Sequence, residues 1–206
     1  MSHEVANPFR IVLTGGPCGG KTTSLNLLKA RLEAGGYAVF VVPEIPSLLI
    51  GGGANLGALS MSAFKQFETN VLTLQLGFEN AFIALAKAEA RPSVIIYDRG
   101  LMDPAAYVSR ELWEELLSEN GWTEEGLCDD RYDLVIHLVS ASIGAEAYYM
   151  YSEDGVRKEP PALAAELDQK VESAWQRHPS HTVVGNETGF DAKLERVWSA
   201  IEKRLS

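Results

Sequence analysis

Eight residues near the start of the chain, Gly15-Gly16-Pro17-Cys18-Gly19-Gly20-Lys21-Thr22, fit the spacing G-x-x-x-x-G-K-[ST]. Glycines let a backbone wrap so that successive N–H groups converge on an anion, and a helix beginning where the loop ends adds the positive end of its dipole. Lys21 supplies a charge for β- and γ-phosphate oxygens. The Thr22 hydroxyl, with Thr23 beside it, suits a Mg²⁺ ion held against those phosphates. The chemistry implied is the binding of a nucleoside triphosphate with Mg²⁺.

Other residues could work on that phosphate. Asp98 ends an apolar run, where an acidic residue can hold Mg²⁺ directly or through water. Arg99 follows it, and a guanidinium there can clamp an acceptor or a transferring phosphoryl group with a planar fork; a plain Asp-Arg-Gly turn is the alternative. Glu44 stands just past a second apolar run and could take the proton of an acceptor hydroxyl or bind the acceptor, or be a solvated loop glutamate. Arg157, more than its neighbour Lys158, could close over the phosphoryl group from a polar, glycine-containing stretch at 140–159 that reads as a lid. Asp103 could serve metal or acceptor, but its place before Pro104 equally reads as a helix cap. Asn186 could meet the nucleotide base or cap a turn. Cys18 reads as structural, and the four histidines show no metal-ligand spacing.

These residues need a scaffold, and the hydrophobic pattern supplies one. Phe9 to Thr14 reads as a buried strand entering a tight turn at Gly15-Gly16, and Thr22 to Ala34 as a helix ended by Gly35-Gly36. Tyr37 to Val42 is a second strand. Pro43, Pro46 and Gly51-Gly52-Gly53 predict a mobile loop over 43–59. From Ser60 to Ala90 a stripe of Phe64, Phe67, Val71, Leu74, Phe78, Phe82 and Leu85 predicts one long helix with that stripe in the core. Ser93 to Tyr97 is a third strand, followed by a helix from Asp103-Pro104 to about Asn120. Tyr132 to Val139 and His181 to Val184 are strands four and five, with helices from Pro160-Pro161 to Arg177 and from Phe190 to Leu205. Strands alternating with helices predict an α/β fold of three layers, a five-stranded parallel sheet covered on both faces, as one domain over residues 1–206.

Composition narrows the partners. Apolar residues make up 46% and charged residues 22%, as in an ordinary globular protein. A formal charge of −10 disfavours nucleic acid and anionic lipid, so an anion must bind in a local pocket. The start of the chain has no basic segment followed by an apolar one, and no stretch is apolar for long enough to span a bilayer. Cys18 and Cys128 make no disulfide framework, and a cytoplasmic setting is expected.

The segments FRIVLTGGPCGGKTT, VVPE, YDRGLMDPAAYVSRELWEELL, RYDLVIHLV, GVRKEP and WQRHPSHTVVGN together resemble one family. It is the AAA-labelled P-loop domain shared by the ribosylnicotinamide kinase module of the bacterial NAD regulator and the TRPL translocation defect protein, and similarity to the latter covers nearly the whole chain. The resemblance implies a kinase-like P-loop NTPase core with nucleotide at Gly15 to Thr22, Asp98 and Arg99 beneath it and Arg157 over it. Relatives of the TRPL translocation defect protein carry a triphosphate-tunnel-like domain after this one, whereas these 206 residues end on a single helix.

Two functions follow. One is a small-molecule kinase moving the γ-phosphoryl of ATP to a hydroxyl, favoured by Asp98-Arg99 and the lid. The other is a nucleotide-dependent switch or trafficking module with slow hydrolysis and a protein partner, which needs little acceptor pocket. No Asn-Lys-x-Asp run marks guanine specificity, so ATP is favoured and GTP is the alternative. A motor-like ATPase would need paired acidic residues after the third strand.

Overall fold

The computed structural model describes residues 7–149 and 160–205. Five strands, β1 (Phe9–Thr14), β2 (Ala38–Val42), β3 (Ser93–Asp98), β4 (Leu134–Leu138) and β5 (His181–Val184), form one all-parallel sheet in the order β2-β3-β1-β4-β5. Seven α-helices are described: α1 (Lys21–Ala34), α2 (Ile45–Gly51), α3 (Met61–Ala88), α4 (Arg110–Asn120), α5 (Glu124–Cys128), α6 (Pro161–Ala174) and α7 (Phe190–Leu205).

Right-handed crossovers assign the helices to faces. The β1-to-β2 connection runs one way along the sheet and the next three run the other way. Accordingly α1 lies opposite α3, α4 and α6. Strand alternation feeds two cores: Val12, Ile95, Tyr97 and Val135 pack with Leu72, Trp113, Val171 and Trp175 on one face. Ile11, Leu13, Ile96 and Ile136 pack with Leu28, Leu32, Val197 and Ile201 on the other. Burial on both sides is why the central strands read as unbroken apolar runs. The chain reverses direction across the sheet at β1, leaving a crevice at the carboxyl ends of β1 and its neighbours.

Several expectations need correction. Residues 43–59 are not a loop: α2 occupies 45–51 and a 3₁₀ turn spans Leu56–Ala58. Pro46 sits in the first turn of α2, where a missing N–H costs nothing, and Gly52 and Gly53 end it, Gly53 with φ 109°. Asp103-Pro104 opens only a 3₁₀ turn, Asp103–Ala106; α4 begins at Arg110 after Ser109, whose side chain caps Leu112 N–H at 3.3 Å. The short α5, capped by Thr123, was hidden in an acidic stretch. In α3, Leu74 and Leu85 of the apolar stripe face solvent, while Glu68, Gln75 and Glu79 are buried.

Candidate active site

The loop after β1 is shaped by what it leans on. Gly15 and Gly20 take φ of 130° and 91°, and Cys18, a non-glycine residue, takes 56°. A Cβ on Gly15 or Gly19 would lie 2.2 or 2.4 Å from the Leu138 carbonyl oxygen, so the loop can press against the end of β4 only because both positions are glycine. α1 then starts at Lys21 with no side-chain cap and no acidic residue in its first turn. Its first N–H groups are left for an anion. Lys21 Nζ donates to the carbonyls of Gly15 and Gly16 at 2.9 and 3.0 Å. Burial, and then Arg99, bring its pKa down to about 8 against the opposing pull of Asp98, Glu44 and Asp103.

Asp98 and Arg99 arrive at the end of β3, which pairs with β1 in the register Leu13 to Asp98. Arg99 has φ 73° and its N–H donates to the Leu13 carbonyl at 3.0 Å, so the strained residue is held by the sheet itself. Its guanidinium donates through Nε to Glu44 and through Nη1 to Asp103 Oδ1 at 3.2 Å, and lies 5.8 Å from the centre of the Tyr107 ring. Burial opposes the charge, but Tyr107, Asp103 and Glu44 hold it above the ordinary arginine value. Burial lifts the Glu44 carboxyl, yet Arg99 and the Ser47 hydroxyl at 2.6 Å outweigh it and keep it below the usual glutamate value. Glu44 is thus an ion-pair partner that aims Arg99.

Asp103 is not a helix cap. Its buried carboxylate accepts from Thr14 Oγ1 at 2.6 Å, Gly100 N at 3.0 Å and Trp175 Nε1 at 3.1 Å besides Arg99. One residue therefore ties β1, the turn after β3 and the end of α6 to the guanidinium.

Asp98 differs from these. Its Oδ1 is buried with no hydrogen-bond partner among the described residues, and burial raises its pKa while Lys21 opposes the rise. A buried carboxylate oxygen left open beside a phosphate loop fits a cation. Thr22, exposed at the same cavity, and Asp98 suit Mg²⁺, which keeps waters and phosphate oxygens and needs no all-protein cage. No cluster of three or more metal-ligating side chains occurs among the described residues.

Loop, Asp98 and Arg99 share one cavity of about 810 Å³, whose far wall is built by α2 and α3. Glu68 and Gln75 lie on that wall with Ile50, Phe67 and Leu72, and Pro17 to Thr23 line the phosphate end. Glu68 is 6% exposed and has no hydrogen bond or ion pair among the described residues; burial pushes its pKa up to about 7. One turn past Gln75, Glu79 accepts from Gln75, Arg131 and Tyr132, and the Tyr132 hydroxyl accepts Leu101 N–H at 3.1 Å. That network braces the segment after Arg99. The signal for these residues was present: Glu68, Gln75 and Glu79 recur at steps of seven and four on one helix face.

Not every expected residue joins the cavity. Asn186 lies off it: its amide nitrogen donates to the carbonyls of Ser140 and Ile143 at 2.8 and 2.7 Å, and its oxygen accepts from Lys193 at 2.7 Å. It fastens the chain after β4. Arg157 and Lys158 lie outside the described residues. Ser140, Ala141 and Ser142, the first residues of the stretch expected to be a lid, are buried, and residues 150–159 of that stretch lie outside the described residues.

A parallel five-stranded sheet with this loop after its central strand defines a P-loop nucleotide-binding fold. The profile of the family described as AAA domain matches residues 10–193, and the chain belongs to that family. No curated protein matches the sequence. Among solved structures, thymidylate kinase from Candida albicans is similar with a TM-score of 0.69 and 18% identity over 96% of this chain and 92% of that one. Deoxyadenosine kinase from M. mycoides, solved with bound dATP, is similar with a TM-score of 0.57 and 17% identity over 94% of this chain and 99% of that one. At such identities the likeness is one of fold. No helix among the described residues is long and apolar enough to cross a membrane.

Proposed function

We propose that this protein is a small-molecule kinase that transfers the γ-phosphoryl group of ATP to a hydroxyl. The observation that carries this reading is the continuation of the cavity past the phosphate loop and Arg99 to the wall bearing Glu68. A second substrate has room there, which a nucleotide switch does not need. In this reading Gly15 to Thr23 receive the triphosphate, Lys21 leaves the loop carbonyls for the phosphates, and Thr22 and Asp98 hold Mg²⁺, whose charge neutralises the phosphate oxygens. Arg99, aimed by Glu44 and Asp103, binds the acceptor or the moving phosphoryl group. The acceptor oxygen bonds to the γ-phosphorus, the bond to the β,γ-bridging oxygen breaks, and ADP leaves. The hydroxyl proton passes to Glu44 or Asp98: Glu44 already accepts from Arg99 and Ser47, and Asp98 could take the proton only on the oxygen that Mg²⁺ does not use. Arg157 is assigned to the phosphoryl group from above.

The order of motifs supports the finer kinship with the ribosylnicotinamide kinase module and the TRPL translocation defect protein. One P-loop domain working in the cytoplasm, where ATP is supplied, fits the same reading, with GTP as the alternative donor. The test is nucleotide consumption by the purified protein against nucleosides, vitamins and sugars, with a control lacking acceptor. Turnover that requires one acceptor is expected; slow hydrolysis indifferent to all of them would instead select a switch with a protein partner.

A further inference from the structure

Across the phosphate loop from Arg99 lies a second buried aspartate that phosphoryl transfer does not call on. Asp168, in the middle of α6, is 1% exposed. Its Oδ1 accepts Gly16 N–H at 2.6 Å and Ser140 N–H at 3.0 Å, and its Oδ2 faces His137 Nε2 at 3.2 Å. The Ser140 hydroxyl in turn donates to the Pro17 carbonyl at 2.5 Å. Two consecutive loop residues are therefore held from α6, Gly16 directly by its N–H and Pro17 through Ser140 by its carbonyl. The approach is close: a Cβ on Gly16 would stand 2.7 Å from Asp168 Oδ1.

Burying a carboxylate costs free energy. What its charge adds is strength in the bonds that one oxygen makes to two N–H groups from different segments, bonds a neutral amide oxygen in the same place would make more weakly. Gly16 N–H is turned onto α6, so without Asp168 it would be a buried donor with no partner, and the loop would have to rotate to satisfy it. The Lys193 ammonium feels the Asp168 charge but donates its hydrogen bonds to the Val139 carbonyl and Asn186 Oδ1, both at 2.7 Å, so the Asp168 oxygens stay with the loop and His137.

We propose that Asp168 is a positioning residue for nucleotide binding, fixing the Gly16-Pro17 turn in its phosphate-receiving shape and joining α6 to the loop. This rests on the triphosphate half of the proposed function. The test is the affinity of a non-hydrolysable ATP analogue with Mg²⁺, by calorimetry, alongside urea stability and the Gly16 amide proton shift. Asp168→Ala should weaken binding roughly tenfold, whereas Asp168→Asn, which keeps an oxygen for both N–H groups, should stay within about threefold while moving the Gly16 amide proton upfield. Ser140→Ala should cost about threefold, and combining it with Asp168→Ala should cost less than the product of the two. Val171→Ala, on the same helix in the core, should lose stability and keep its affinity.

Wild-type affinity in folded Asp168→Ala, or equal weakening by Val171→Ala, would overturn the assignment and leave the nucleotide reading standing. If Asp168→Ala does not fold, unaltered affinity in Ser140→Ala together with an unmoved Gly16 proton in Asp168→Asn overturns it as well. A wild-type protein that binds no triphosphate would remove both.

Discussion

The two sides of the phosphate loop are built from similar residues and behave differently. On the β4 side, Asp168, Ser140, Asn186 and Lys193 direct their polar atoms into the protein, onto backbone groups of the loop and the residues after β4. On the β3 side, Asp98 keeps an unpartnered oxygen, Arg99 holds a strained backbone with its fork at the cavity, and Glu68 is buried without a partner among the described residues. Satisfied polar groups fix a shape, whereas groups left unsatisfied next to a cavity are waiting for something outside the protein. In the function proposed above, the difference makes the β3 side the place for chemistry and the β4 side its support.

The largest expected effect lies where the two sides meet. Lys21→Ala should weaken Mg²⁺-triphosphate binding roughly a hundredfold or more, because the only lysine on the cavity wall among the described residues is removed from the phosphate end. Circular dichroism should show the fold intact. Unchanged affinity in a folded variant would break the comparison at its root, since neither side would then be organised around phosphate.

Asp98→Asn comes next and should separate chemistry from binding. The loop amides still hold the phosphates, so affinity should change only a few-fold, but turnover should fall roughly a hundredfold with a weakened response to Mg²⁺. Titrating Mg²⁺ in both proteins checks it. A variant with wild-type rate and metal response would mean that the unpartnered oxygen is a structural accident.

How much of this could be read from residues alone depends on the distance between partners. The phosphate loop is contiguous, and its glycines, lysine and threonine state their chemistry within eight positions. The strands show as short apolar runs, and α3 shows its period locally. Asp103 misled because Asp-Pro is a common way to start a helix, while its four donors come from Thr14, Arg99, Gly100 and Trp175. Pro46 and the run Gly51 to Gly53 misled because residues that break structure also begin and end a short helix. Asp168 was invisible for a stronger reason: it reaches Gly16 across 152 positions, and an aspartate in an amphipathic helix looks like any solvated carboxylate. The supporting side is written in long-range contacts, the chemical side largely in motifs.

A smaller effect tests the supporting side. Asn186→Ala should lower stability by about 1 kcal/mol, since the carbonyls of Ser140 and Ile143 and the Lys193 ammonium each lose a partner in a part-buried setting. Its preference between ATP and GTP should not change. Measuring both affinities decides between the fastening seen here and a contact with the base: a shift in base preference at unaltered stability would move Asn186 to the chemical side.

An effect no larger, and the sharpest contrast with Asn186, is expected at Glu68. Its folded pKa is raised to about 7 from an ordinary value of 4.5, so the folded protein binds a proton there more readily than the unfolded chain does. Stability must then fall as pH rises from about 4.5 to about 7, stay reduced above that, and carry no such cost below 4.5, where both states are protonated. Glu68→Gln removes the ionisation and keeps the shape. The variant should match the wild type in urea unfolding near pH 4.5 and exceed it by about 1 kcal/mol at pH 8, the full shift being discounted for the cavity's solvent. A gain that is the same at both pH values would point to packing, and a loss at pH 8 would mean that the carboxylate has a compensating cation within the protein. In the last case Glu68 would belong with Asp168 and Asn186, and the wall facing the phosphate loop would be support on both sides.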